Sequence, residues 1–149
     1  MENQDNFLRL VESPPTLHAL LYSGGFRASA GRLNSGHTRF AFLPGSDTQD
    51  FHDRWLSALS PAYFWGDLDF AGMSILKALR QTFPQLEAWK PGYQPMLVQL
   101  HCGGGHLPEQ AGKERQIDPG ETGCVYSDSE LLPALRDKQR FVDQEMVHL

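Results

Sequence analysis

Little in this chain points toward a membrane or an oxidising compartment. Its 149 residues hold two cysteines, Cys102 and Cys124. That is too few for a disulfide framework, and in an acidic chain they read as free thiols. No hydrophobic run approaches the length needed to cross a bilayer. The start Met1-Glu2-Asn3-Gln4-Asp5-Asn6 has neither the basic region nor the apolar stretch of a signal peptide, so the cytoplasm is the expected location. Positive charge is also short: 13 Lys and Arg stand against 18 Asp and Glu, a formal net charge of −5. This argues against nonspecific nucleic-acid binding through a broad positive field. It does not exclude a metal-using enzyme, whose carboxylates are counted while the ions they hold are not. Internal repeats and low-complexity segments are absent.

What is present suits one packed α/β domain over residues 1–149, since 40% hydrophobic content in this length supports a single core. Asn6 to Leu10 suggests a short helix stopped before Pro14-Pro15, and Leu17 to Tyr22 a buried strand closed by Ser23-Gly24-Gly25. Phe51, Trp55, Leu56 and Leu59 share a helical face that Ser60-Pro61 terminates. A strand Ala62 to Trp65, an acidic turn Gly66 to Ala71 and a helix Gly72 to Phe83 follow, with Ile75, Leu76, Leu79 and Phe83 as the buried stripe. That order predicts a mostly parallel sheet. Leu86 to Trp89 reads as a further strand, and Met96 to Leu100 as a strand or one turn of helix. Residues 101–123 are rich in glycine and proline and are expected to be irregular, and Ser129 to His148 is expected to be the last helix.

The turn Phe64-Trp65-Gly66-Asp67-Leu68-Asp69-Phe70-Ala71-Gly72 carries the most chemistry. In extended chain, residues two apart point the same way, so Asp67 and Asp69 can face one site while Leu68 turns inward. Ligands of open α/β sheets collect beyond such strand ends. Two converging carboxylates repel each other, and their hard oxygens suit Mg2+ or Mn2+. Gly66 and Gly72 would permit close backbone approach. The alternative is a surface turn in which one aspartate caps the next helix and the other is solvated.

The acidic pair followed by two residues and a glycine resembles the Asp-x-Asp-x-x-Gly motif of the Toprim fold. The run from Tyr63 to Arg80 looks closer still to the C-terminal Toprim domain of the JetD nucleases of Wadjet anti-plasmid systems, with Phe70 and Ala71 replacing the family's usual polar pair. Glu2-Asn3 with Phe7 resembles the family's Val-Glu-Asn segment, and Asp143-Gln144-Glu145 resembles its Glu-Gln-Glu element. The resemblance implies a Toprim-like, mostly parallel central sheet flanked by helices. It also implies a divalent-metal-dependent DNA endonuclease of a plasmid and phage defence system. Glu2, Asp67 and Asp69 would hold Mg2+ or Mn2+, and Glu145 would be an additional catalytic carboxylate. Glu12, after a first strand Leu8 to Val11, is the alternative to Glu2. With Glu2 in the role instead, a strand and any DNA-binding domain upstream of it are expected to be missing from this chain.

The expected partners are DNA, an additional DNA-binding domain or defence-complex subunits, and a second copy in a homodimer. Arg27, Arg32 and Arg39, with His37, are candidate DNA contacts, although a solvated loop explains them as well. A covalent mechanism would need a tyrosine nucleophile, and none of Tyr22, Tyr63, Tyr93 and Tyr126 has a supporting pattern. His101, Cys102, His106 and Cys124 suggest zinc only by residue type, because their spacing matches no closed zinc site. Two other readings stay open: a non-catalytic Toprim-like module that binds nucleic acid or a partner, and an unrelated Asp-dependent phosphotransfer enzyme.

Overall fold

The computed structural model describes residues 1–12, 19–24, 39–55 and 61–147. Helix α1 spans Gln4–Glu12. After the short turn Thr48–Asp50 and the π-helical Phe51–Trp55, a β-α-β unit forms the centre of the molecule. Strand β1 is Tyr63–Phe64, helix α2 is Phe70–Arg80 and strand β2 is Glu87–Ala88. The two strands are parallel, with Tyr63 opposite Glu87 and Phe64 opposite Ala88. Helix α3, Lys90–His101, starts directly after β2, and α4, Leu132–Lys138, continues a π-helical turn at Ser127–Leu131.

The expected Toprim-like sheet is not what these residues build. Among the described residues the only sheet has two strands, and helices supply most of the remaining structure. The reason lies in the apolar spacing after β2. Tyr93, Met96, Leu97 and Leu100 are all buried and recur every three or four residues, so they make one face of α3. Met96 to Leu100 is therefore helical. Leu8 to Val11, the alternative first strand, lies inside α1, and Leu20 to Tyr22 has no regular structure.

The core joins Phe64, Trp65 and Leu68 to Met73, Ile75, Leu76 and Leu79 of α2, to the inner face of α3, and to Leu131, Leu132 and Leu135. Away from this core, Phe40, Phe42, Phe51 and His52 pack edge to face, with Phe40 and Phe51 centroids 5.0 Å apart.

The C-terminal helix ends earlier than its apolar pattern suggests. Gln139 turns left-handed (φ 51°), closing α4, and Arg140 then donates to the carbonyls of Gly104 and Gly105 at 3.0 and 2.7 Å. The chain reverses into two antiparallel bridges, Phe141 with His106 and Val142 with Leu68. Gly105 allows this crossing: its φ is 74°, and a Cβ there would strike the Phe141 carbonyl. The last turn thus lies beside the acidic segment that follows β1.

Candidate functional site

Phe64 and Trp65 bury their rings, and the Gly66 amide donates to the Tyr93 hydroxyl at 3.0 Å. Leu68 is completely buried and exchanges backbone hydrogen bonds with Val142 at 2.9 and 3.1 Å. The alternation read from the sequence is therefore present: Leu68 points into the core while Asp67 and Asp69 meet on the other side. Asp69 also caps α2. Its backbone is extended, and its Oδ1 accepts from the Gly72 amide at 2.7 Å. A Cβ on Gly72 would collide with the Asp67 carbonyl, which explains the glycine at that position.

The two aspartates converge on a lysine. Lys113 Nζ lies 2.9 Å from Asp67 Oδ2, 2.8 Å from Asp69 Oδ2 and 2.7 Å from Asp143 Oδ1. Further donors reach the same carboxylates. Asp67 Oδ1 accepts from the Gln144 amide at 2.8 Å, and Asp69 Oδ2 accepts from Gln116 Nε2 at 2.9 Å. Gln116 Oε1 in turn accepts from the Ala71 amide at 2.9 Å, and His106 Nε2 lies 3.2 Å from Asp143 Oδ1.

Burial opposes the charge on Lys113, but the hydrogen bonds to Asp143 and Asp69 outweigh it and hold the ammonium well above its usual range. Burial would also raise Asp143, yet Lys113 and His106 bring its carboxyl below the ordinary value. At Asp67 burial wins over the Gln144 amide and Lys113, and the net direction is upward. One ammonium shared among three carboxylates cannot neutralise them all.

Glu2 completes the acidic side. Its amide donates to the Trp65 carbonyl at 3.1 Å, and its side chain lies over Gly66, where a Cβ would strike the carboxylate. Burial, followed by the charges of Asp67 and Asp69, pushes the Glu2 carboxyl up to about 7. Its Oε2 and the Nε2 of the fully buried Gln144 are both buried, and neither meets a hydrogen-bonding partner among the described residues.

Glu145 is exposed and accepts from Asn3 Nδ2 at 2.7 Å. Asn3 also donates its backbone N–H to Gln144 Oε1 at 3.2 Å, and Asn6 Nδ2 donates to the Gln144 carbonyl at 2.7 Å. Glu12 sits at the exposed end of α1. Of the candidate DNA contacts, Arg39 is exposed, whereas Arg27 and Arg32 lie outside the described residues. Cys102 and Cys124 are free thiols, and Cys124 Sγ, buried, accepts from the Ala88 amide.

Lys113 and Gln116 were not singled out in the sequence, and Asp143 and Gln144 entered only beside Glu145 in the segment that resembles a Glu-Gln-Glu element. Lys113 and Gln116 fall in the glycine- and proline-rich stretch, where no periodicity assigns a side chain a direction. Asp143 falls where a continuous helix was expected.

The donor set does not fit Mg2+ or Mn2+ in this arrangement. The point shared by the three aspartates is held by a tethered ammonium, and the second oxygens of Asp67 and Asp69 serve backbone amides. Among the described residues no group of three His, Cys, Asp or Glu side chains is placed to hold a metal ion. Among them also, no helix is long and apolar enough to cross a membrane.

A family model described as Wadjet protein JetD, C-terminal, matches residues 1–89. No curated protein and no solved structure matches the chain. The family match corrects the reading of a catalytic Toprim domain: what is matched is the C-terminal family, on a mostly helical structure whose carboxylates are closed by Lys113. The assignments as metal-dependent nuclease, hydrolase and metal-binding Toprim domain fall with it.

Proposed function

The chain belongs to the JetD C-terminal family of Wadjet proteins, and from that premise we propose that it is a non-catalytic module that docks onto a protein partner within the Wadjet system. The observation that carries this reading is the closure of the Asp67, Asp69 and Asp143 carboxylates around Lys113 Nζ, at 2.7 to 2.9 Å. A cluster bridged from within the chain by Lys113 acts as a structural joint. It ties the turn after β1 to the loop carrying Lys113 and to the C-terminal segment.

The net charge of −5 favours a protein surface of opposite sign over direct capture of DNA. Any DNA contact of the assembly would then come from other domains or subunits. A second copy of the chain is a further candidate partner.

The test combines plasmid cleavage with cation binding. The purified chain is incubated with supercoiled plasmid and Mn2+, and Mn2+ binding is followed by calorimetry. The expected result is no cleavage and no saturable binding that depends on Asp67 or Asp69. Mn2+-dependent nicking abolished by both Asp67→Asn and Asp69→Asn would overturn the proposal. Mixing with the other purified Wadjet proteins should give a complex by size-exclusion chromatography. Free migration with every one of them would equally overturn it.

A further inference from the structure

We infer that Lys113 is the lock of a strap, the segment from Leu107 to Gly120, and that this strap is held closed over the acidic turn chiefly by the Lys113 ammonium with Gln116 beside it. The strap has little core of its own. Leu107 and Ile117 are exposed, Ile117 to 83%, and the segment is irregular apart from a single 3-10 turn at Pro108–Ala111. Its attachments are polar and discrete.

In the middle, Lys113 grips three carboxylates, while Gln116 both donates to Asp69 Oδ2 and accepts from the Ala71 amide at the start of α2. Toward the end, Lys77 Nζ donates to the Pro119 carbonyl at 2.6 Å, and Arg136 pairs with Asp118 at 2.7 and 2.8 Å on the surface. The surface pair is open to water and screening, so it contributes little. The central grip is different. Lys113 and Asp69 are 19% and 2% exposed, and removing one partner of such a group leaves charge buried without compensation. A segment with few apolar contacts opens separately from the core once its main anchor is lost.

The inference concerns how the strap is held and stands whether or not the module docks onto a protein. The experiment is backbone hydrogen exchange on the intact chain, comparing wild type with Lys113→Met, Lys113→Arg and Gln116→Ala. In Lys113→Met the amides of residues 107–120 should exchange faster by at least about tenfold, while those of α2 and α3 keep their protection. Lys113→Arg should recover part of the protection because the charge remains. Unchanged exchange of the strap in Lys113→Met would overturn the inference. Should Lys113→Met lose protection throughout, Gln116→Ala decides: acceleration confined to the strap supports the lock, and no acceleration there overturns it. Strap release bears on the lock alone, whereas cleavage or partner binding bears on the function proposed above.

Discussion

Lys113 Nζ and Asp69 Oδ2 lie 2.8 Å apart although the residues are separated by 44 positions in the chain. Asp69 is almost fully buried there and serves two purposes at once. One oxygen caps α2 through the Gly72 amide, and the other meets Lys113 and Gln116.

Asp69→Ala should therefore be among the more costly substitutions in the chain. It removes a helix cap and leaves a partly buried ammonium short of a partner, a loss of about 3 kcal/mol. Asp69→Asn keeps an oxygen for the cap and should cost less, roughly 1–2 kcal/mol. Urea denaturation of both variants checks the order. Equal stability of Asp69→Ala and wild type would show that the joint contributes nothing.

Glu2 makes stability depend on pH in a defined direction. Its carboxyl titrates at about 7 in the folded chain against an ordinary value of 4.5, so the folded state holds the proton more tightly than the unfolded one. The stabilising contribution is fully present below pH 4.5 and is lost as pH rises through about 7. The full swing is about 3 kcal/mol, reduced to roughly 2 where solvent screens the carboxyl. Glu2→Gln should flatten this part of the pH profile and raise the melting temperature above pH 7 relative to wild type. A profile with the same slope in both proteins would contradict the assignment.

Gly72→Ala tests the close approach at the start of α2. Alanine favours a helix by about 1 kcal/mol over glycine, yet here its Cβ would meet the Asp67 carbonyl. The collision should dominate, with a net loss of about 1–3 kcal/mol in thermal or chemical denaturation. A stabilised variant would show that the turn relaxes freely.

Arg136 and Asp118 provide a contrast. Their side chains are 42% and 37% exposed, so Asp118→Asn should change stability by less than about 1 kcal/mol, and by less still at high salt. A larger loss in denaturation would mean that the strap depends on this surface pair, which would weaken the place given to Lys113.

Local elements were legible where a short-range pattern is decisive. The helix after the acidic turn, the stop near Pro84 and the inward turn of Leu68 follow from apolar spacing and proline geometry. The observed α2, Phe70–Arg80, differs from the expected helix by two residues at its start and three at its end. The capping aspartate, one of two readings weighed for the turn, is Asp69. A strand on either side of that helix was legible as well, whereas the parallel pairing of β1 with β2 is seen in the structure. The extent of the sheet was not legible. Met96 to Leu100 suits a strand or a helix when read alone, and packing against the core selected the helix.

By itself the sequence determined that Asp67 and Asp69 point one way and Leu68 the other, since alternation in extended chain is a property of the backbone. It also suggested that Gly72 lets the helix start pack tightly, and the structure shows that the group it packs against is the Asp67 carbonyl. Only the tertiary structure decided what the aspartates face. The ammonium of Lys113 comes from an irregular segment without periodicity, and Asp143 arrives because Gln139 ends α4 and the following residues pair with His106 and Leu68. Long-range electrostatic partners depend on where distant loops come to rest, which no local spacing encodes. The same two carboxylates that suggest a metal site in one dimension are, in three, the seat of an internal cation.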